Sequence, residues 1–146
     1  MTDDRFKELT VAGLDELEVY RLTMEIGENV WEIVAGWGWF EKNSMGRQFT
    51  RAADSIAANI SEGYGRFSFA ENRQFAYYAR GSLFETGTWL RKAKKRGLID
   101  DEKFTGLSAD INLAAKMLNG YIRSIGPKDT LKEAEAPYGL PTEEEV

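Results

Sequence analysis

Along four stretches of this chain apolar residues recur at steps of three and four, and each stretch is closed by glycine or proline. No stretch alternates apolar and polar residues as a half-buried strand does. A period near 3.6 residues, interrupted between stretches, produces amphipathic helices that bury one face against one another. The expected helices cover about residues 14–36 and 45–62, then one from Ser68 to the stop at Gly97, and one that starts after Asp100 and is ended by Gly126-Pro127. Short connections between helices of similar length imply antiparallel neighbours, so the expected fold is all-α, an antiparallel up-down-up-down four-helix bundle. Residues 1–13 read as an N-terminal arm, 14–126 as the bundle and 127–146 as a mostly disordered acidic tail with six acids, three prolines and few apolar residues.

The first helix carries two seams. Val19, Leu22, Ile26, Val30, Ile33 and Trp37 form one; Leu17, Tyr20, Met24, Trp31 and Val34 form the other. Two seams fit either a central, deeply packed helix or burial against both the bundle and a second subunit. Residues 37–44 read as a connection. Phe49, Ala53, Ile56 and Ile60 make the core stripe of the second helix, with Gly63 as its left-handed cap. Ser68-Phe69-Ala70-Glu71 has the capping-box pattern, in which serine and glutamate satisfy orphan backbone donors. The third helix then buries Phe75, Ala79, Leu83, Thr86 and Leu90 and ends in Lys94-Lys95-Arg96-Gly97, cations at its negative end before a glycine stop. The fourth repeats Phe104, Leu107, Ile111, Ala115, Leu118, Ile122 and Ile125 on one face.

Composition narrows the chemistry. At 146 residues the chain fits one domain, with no cysteine and no histidine. Disulfides, thiolate sites, the usual general base and the commonest transition-metal ligand are therefore excluded. No apolar run approaches the ~20 residues that cross a bilayer, and the acidic start Thr2-Asp3-Asp4 is unlike a secretory leader, so a cytoplasmic location is expected. The net charge of −5 hides a segregation. Residues 1–41 carry ten acids against three bases, 42–96 four acids against eleven bases, and 97–146 ten acids against five bases. A basic middle between acidic flanks steers partners despite the net charge.

Two sets of residues stand out. Arg51, Ser55, Asn59 and Glu62 share one face of the second helix, and Ser82 and Glu85 lie beside the apolar row of the third. The preferred reading is a buried polar network that fixes helix register; the alternative is a shared ligand site. Glu62 and Glu85 lack the Glu-x-x-His partners of di-metal bundles, so no metal is expected. Gly63-Tyr64-Gly65 lacks the lysine and preceding strand of a phosphate loop and reads as a tight turn, with Arg66 placed near the next helix start. The second set is the outer row of the third helix. At 100° per residue, Arg73, Tyr77, Arg80, Phe84, Arg91 and Lys95 fall within about 60° of one another. With Arg66, Lys94 and Arg96 they offer guanidinium and ammonium groups interleaved with rings, suited to phosphates and bases or to an acidic subunit surface.

The run from Arg51 through Ala52-Ala53-Asp54-Ser55-Ile56, followed by Asn59-Ile60, Glu62-Gly63, Gly65-Arg66-Phe67-Ser68, Phe75, Ala79, Gly81-Ser82, Glu85 and Arg96-Gly97-Leu98-Ile99, resembles the proteins encoded by intervening sequences of bacterial large-subunit ribosomal RNA genes. The likeness covers roughly residues 14–125. It implies a four-helix bundle, commonly a ring-like homopentamer, without established enzymatic activity. The chain also resembles the accessory proteins of diversity-generating retroelements, which pair with a reverse transcriptase and bind nucleic acid. The function expected is thus a non-enzymatic, cofactor-free homo-oligomeric scaffold that binds RNA or another nucleic acid, or a nucleic-acid-associated protein, through helices two and three. The alternative is a protein-only adaptor using the same basic and aromatic face.

Overall fold

In the computed structural model, which describes residues 9–126, helix α1 spans Glu18–Ala35. It starts later than its periodicity suggests. Gly13 adopts φ +86°, and the Asp15 carboxylate accepts the Val11 N–H at 2.7 Å, so residues 11–17 turn back and tuck Leu14 into the core before the helix begins. The acidic tail and the first eight residues of the arm lie outside the described residues.

Helix α2 begins earlier than expected, and the segment read as a connection is largely helical. It comprises an α-turn Trp39–Glu41, a π-helical segment Lys42–Gly46 and the α-helix Arg47–Tyr64. The junction residues Glu41 (φ −65°, ψ −41°) and Gly46 (φ −58°, ψ −40°) keep helical backbone, so the three pieces form one rod. Asn43 and Ser44 signal turns because they compete for backbone hydrogen bonds. Here they donate to the carbonyls of Trp39 and Phe40, at 2.8 and 2.6 Å, and reinforce the helix they were expected to precede.

Gly63 is no left-handed cap. The helix runs through it, and it is buried. A Cβ there would lie 2.7 Å from the Cβ of Phe75 and 3.0 Å from the carbonyl oxygen of Asn72, so glycine is required by the close approach of the next helix. That helix, α3 (Phe69–Lys95), starts where expected: Ser68 accepts the Glu71 N–H at 3.1 Å. It ends in a complete Schellman motif. Gly97 takes φ +72°, Leu98 N–H donates to Ala93 O at 2.9 Å and Gly97 N–H to Lys94 O at 3.1 Å. Helix α4 (Asp101–Ser124) is capped by Asp100, whose carboxylate accepts the Lys103 N–H at 2.7 Å.

Among the described residues there is no strand. Each helix packs against two others, α2 and α4 both flanking α1 and α3. Fully buried Ile26 and Val30 of α1, Phe49, Ile56 and Ile60 of α2, Leu83 of α3 and Leu118 of α4 form the core. Trp37 closes one end, stacking on Phe49 and donating its indole N–H to Leu98 O at 2.9 Å.

The packing at Gly63 is directly testable. Gly63→Ala should destabilise by about 1–3 kcal/mol, the usual cost of overpacking. Gly106→Ala, where nothing lies within 4 Å of the added Cβ, should raise the melting temperature through helix propensity. Thermal denaturation that shows Gly63→Ala unchanged or stabilised would contradict the close approach.

Candidate functional site

The buried row of α3 is Ala76, Ala79, Leu83, Thr86, Leu90 and Ala93, and the expected basic row runs along one flank of it. Its members differ in exposure. Arg73 is only 6% exposed, Tyr77 and Arg80 are half-buried, and Phe84, Arg91 and Lys95 are exposed. Arg73 thus departs from the expected surface role. The end of α4 folds over it, and its Nη1 donates to Ile125 O at 3.1 Å, tying the start of α3 to the last turn of α4. A guanidinium spent on a buried carbonyl holds the bundle and is withdrawn from any ligand.

The remaining cations divide by their neighbours. Arg66 sits 4.8 Å from the Phe75 ring centroid and pairs with Glu62 at 2.9 Å. Lys94 pairs with Asp101 and lies 5.8 Å from the Phe104 centroid. Arg80 lies 5.3 Å from the Phe84 centroid; burial lowers its pKa from the ordinary arginine value, with Tyr77 acting in the opposite direction. Arg91, Lys95 and Arg96 are exposed and make no ion pair with another described residue. Lys92, absent from the expected row, joins them because it too is exposed on the last turns of α3. The accessible positive charge therefore concentrates at the C-terminal end of α3, where it also complements the helix dipole.

The expected buried polar network is not formed. Glu62 and Glu85 are exposed, and Ser82 and Asn59 are only half-buried. Along α2 the Ser55 hydroxyl donates to Arg51 O at 2.6 Å and Asn59 Nδ2 to Ser55 O at 2.8 Å, so this stripe bonds to its own helix rather than across the bundle. Arg51 is exposed, and Glu85 accepts the Trp89 indole N–H at 3.4 Å. These residues stand on a flank of the helices, which spacing of three and four cannot distinguish from the centre. The buried polar residues are instead Thr23, Arg73, Thr86 and Asn119, with both threonine hydroxyls bonded to carbonyls one turn earlier. Among the described residues no three acidic groups gather as a metal site would require.

Two surfaces lie outside the expected row. On α1 the second seam leaves Met24 47% and Trp31 59% exposed, while Val34 from the same seam is buried. Between the π-helical start of α2 and the end of α3 lies a cleft of about 670 Å³, walled by Phe40, Asn43, Ser44, Arg47, Gln48, Trp89 and Arg96. Arg96 reaches across it to Met45, its Nη1 donating to Sδ at 3.1 Å. The signal that could have revealed the cleft was Trp39-Phe40, large aromatics in what looked like a loop.

The structural role of Arg73 separates it from the rest of the row. Arg73→Met should cost about 1.5–3 kcal/mol by removing a charge-assisted hydrogen bond, whereas exposed Arg91→Met should stay within about 0.5 kcal/mol of the parent. Chemical denaturation giving both variants parental stability would refute this division.

Residues 15–120 match the family described as 23S rRNA-intervening sequence protein. The fold is similar to that of a solved protein of unknown function from the S23 ribosomal protein family of Bacteroides thetaiotaomicron VPI-5482. The two share 23% identity with a TM-score of 0.65, covering 73% of this chain and 99% of the other. No curated protein sequence matches.

Proposed function

Because the chain belongs to the 23S rRNA-intervening sequence protein family, we propose that it is a non-enzymatic, homo-oligomeric scaffold, an up-down-up-down bundle assembled as a ring, that binds RNA or another nucleic acid in the cytoplasm. The observation that carries this reading is the set of cations left uncommitted by the fold: Arg91, Lys92 and Lys95, exposed together on the last turns of α3. Phosphates are the partner that such a cluster attracts most strongly, and exposed Phe84 with Arg80 over its ring extends it with a surface for base stacking. Contacts at the helix ends support alternating helix direction. Gly63 meets Phe75 at one end of the α2–α3 pair and Met45 meets Arg96 at the other, while Arg73 near the start of α3 reaches Ile125 just beyond the end of α4. No described helix is long and apolar enough to cross a membrane.

The assembly rests on exposed Met24 and Trp31, an apolar pair whose burial between subunits would complete the second seam of α1. A pentamer is the number the family resemblance implies. The same observation favours the second reading, a protein-only adaptor, in which acidic residues of one subunit's α1 oppose the basic end of another's α3.

Nucleic-acid binding should be salt-sensitive, with a log-log slope that rises by about 0.7–0.9 for each phosphate neutralised. Charge reversal at Arg91 and Lys95 separates the readings, since Arg73 is occupied in the fold. Lost RNA retention at unchanged oligomer mass supports the nucleic-acid scaffold, and a dissociated oligomer supports the adaptor. Deleting residues 127–146 should strengthen binding, because six acids no longer compete for the same cations. Failure of the intact protein to retain RNA or DNA at about 50 mM salt, where counterion release is most favourable, would remove the nucleic-acid reading.

A further inference from the structure

We propose that the cleft between the π-helical start of α2 and the end of α3 is a binding site for single-stranded nucleic acid, seating an unpaired base against Phe40 and Trp89 and the adjoining phosphates on Arg47 and Arg96. This rests on the nucleic-acid reading above and names a second location for it, because Trp89 lies roughly 160° around α3 from Arg91. The fold itself gives no reason for the aromatics at this end. Phe40 is 71% and Trp39 79% exposed, on consecutive residues of a well-formed helix turn, and hydrophobic rings left in water mark a contact surface. Phe40 walls the cleft with half-buried Trp89.

The polar lining selects the ligand class. Arg47 and Arg96 make no ion pair with another described residue, and Glu41 is the one acid on the walls. Arg96 donates to Met45 Sδ at 3.1 Å and lines the cleft together with Phe40 and Trp89. Asn43 and Gln48 add amide groups. Aromatic faces beside cations and amides match bases joined by phosphates, and only unpaired bases offer a free face for stacking. A peptide partner of opposite charge would find the cations but has less use for the exposed Phe40 ring. The π-helical segment Lys42–Gly46 runs along the cleft wall, and such segments are frequent at functional sites.

The test uses the full chain and a fluorescent 12-nucleotide oligouridine carrying 4-thiouridine, read by anisotropy, by ultraviolet crosslinking with peptide mapping, and by oligomer mass. Phe40→Ala, at an exposed position, should keep the helical spectrum and oligomer mass while weakening binding at least about fivefold, the lower range for loss of one stacked base. Arg47→Gln should lower the salt slope by about 0.7. Crosslinked residues, assigned by fragment-ion sequencing, should be Trp39, Phe40 and Trp89. Crosslinks assigned to Tyr77, Phe84 or Arg91 and to none of those three, with Phe40→Ala binding unchanged, would overturn the cleft while leaving the scaffold reading intact. Dissociation of the oligomer by Phe40→Ala would make the cleft a protein contact and overturn it as well. If no variant and no parent protein binds the oligonucleotide at about 50 mM salt, the nucleic-acid reading falls and takes the cleft with it.

Discussion

At Gly63 the second and third helices come so close that one added methyl group would sit 2.7 Å from the Cβ of Phe75. Buried alanines continue the small-residue character on both sides, Ala52, Ala53 and Ala57 on α2 and Ala76, Ala79 and Ala93 on α3. Small side chains allow close packing of the helices, at the expense of the larger apolar area that leucine or phenylalanine would bury. The compensation comes from large residues elsewhere in the core, Phe49, Ile56 and Ile60 meeting Ile26, Leu83 and Leu118 in one cluster. Once α2 and α3 are locked in this register, the start of α2 stands opposite the end of α3. That placement puts Met45 beneath Arg96, Trp37 against Leu98 and a cleft between them.

The same geometry sorts the cations. Those near the Gly63 end are absorbed by structure: Arg73 under the last turn of α4, Arg66 on Glu62 and Phe75. Those toward the far end of α3 are left on the surface, because the Schellman turn at Gly97 carries the chain away into α4, where Asp101 pairs with Lys94, and only Arg96 among the others is bonded to a described residue, at Met45 Sδ. A segment that is basic along its whole length thus becomes a molecule whose available positive charge is concentrated at one end of a helix. Local concentration is what a chain of net charge −5 needs to attract an anionic partner.

The helical character of the four segments, the serine cap of α3 and the glycine stop at Gly97 were legible in the sequence. Each depends on residues within one or two turns of one another. What escaped depends on tertiary contact. Glycine ends helices and also permits close packing, and only the position of Phe75 decides that Gly63 does the second. Asn43 and Ser44 break helices unless their side chains bond back to the preceding turn, as here, so the start of α2 was read as loop. Arg73 shares the helical face of Arg80 and Arg91, but the covering carbonyl comes from Ile125, 52 residues away in the chain. Glu62 and Glu85 have the spacing of buried neighbours and the surroundings of surface residues. Periodicity gives direction around a helix; depth is set by what packs on top.

The proposed function has two parts, assembly of the bundle into an oligomer and retention of nucleic acid by it. Native mass spectrometry of the purified protein, before and after nuclease treatment, tests both halves in one observation. The account predicts a defined multiple of the 16.5 kDa subunit, five for the expected ring, with additional mass that nuclease removes. A single subunit at micromolar concentration, with no nuclease-sensitive mass, would contradict it.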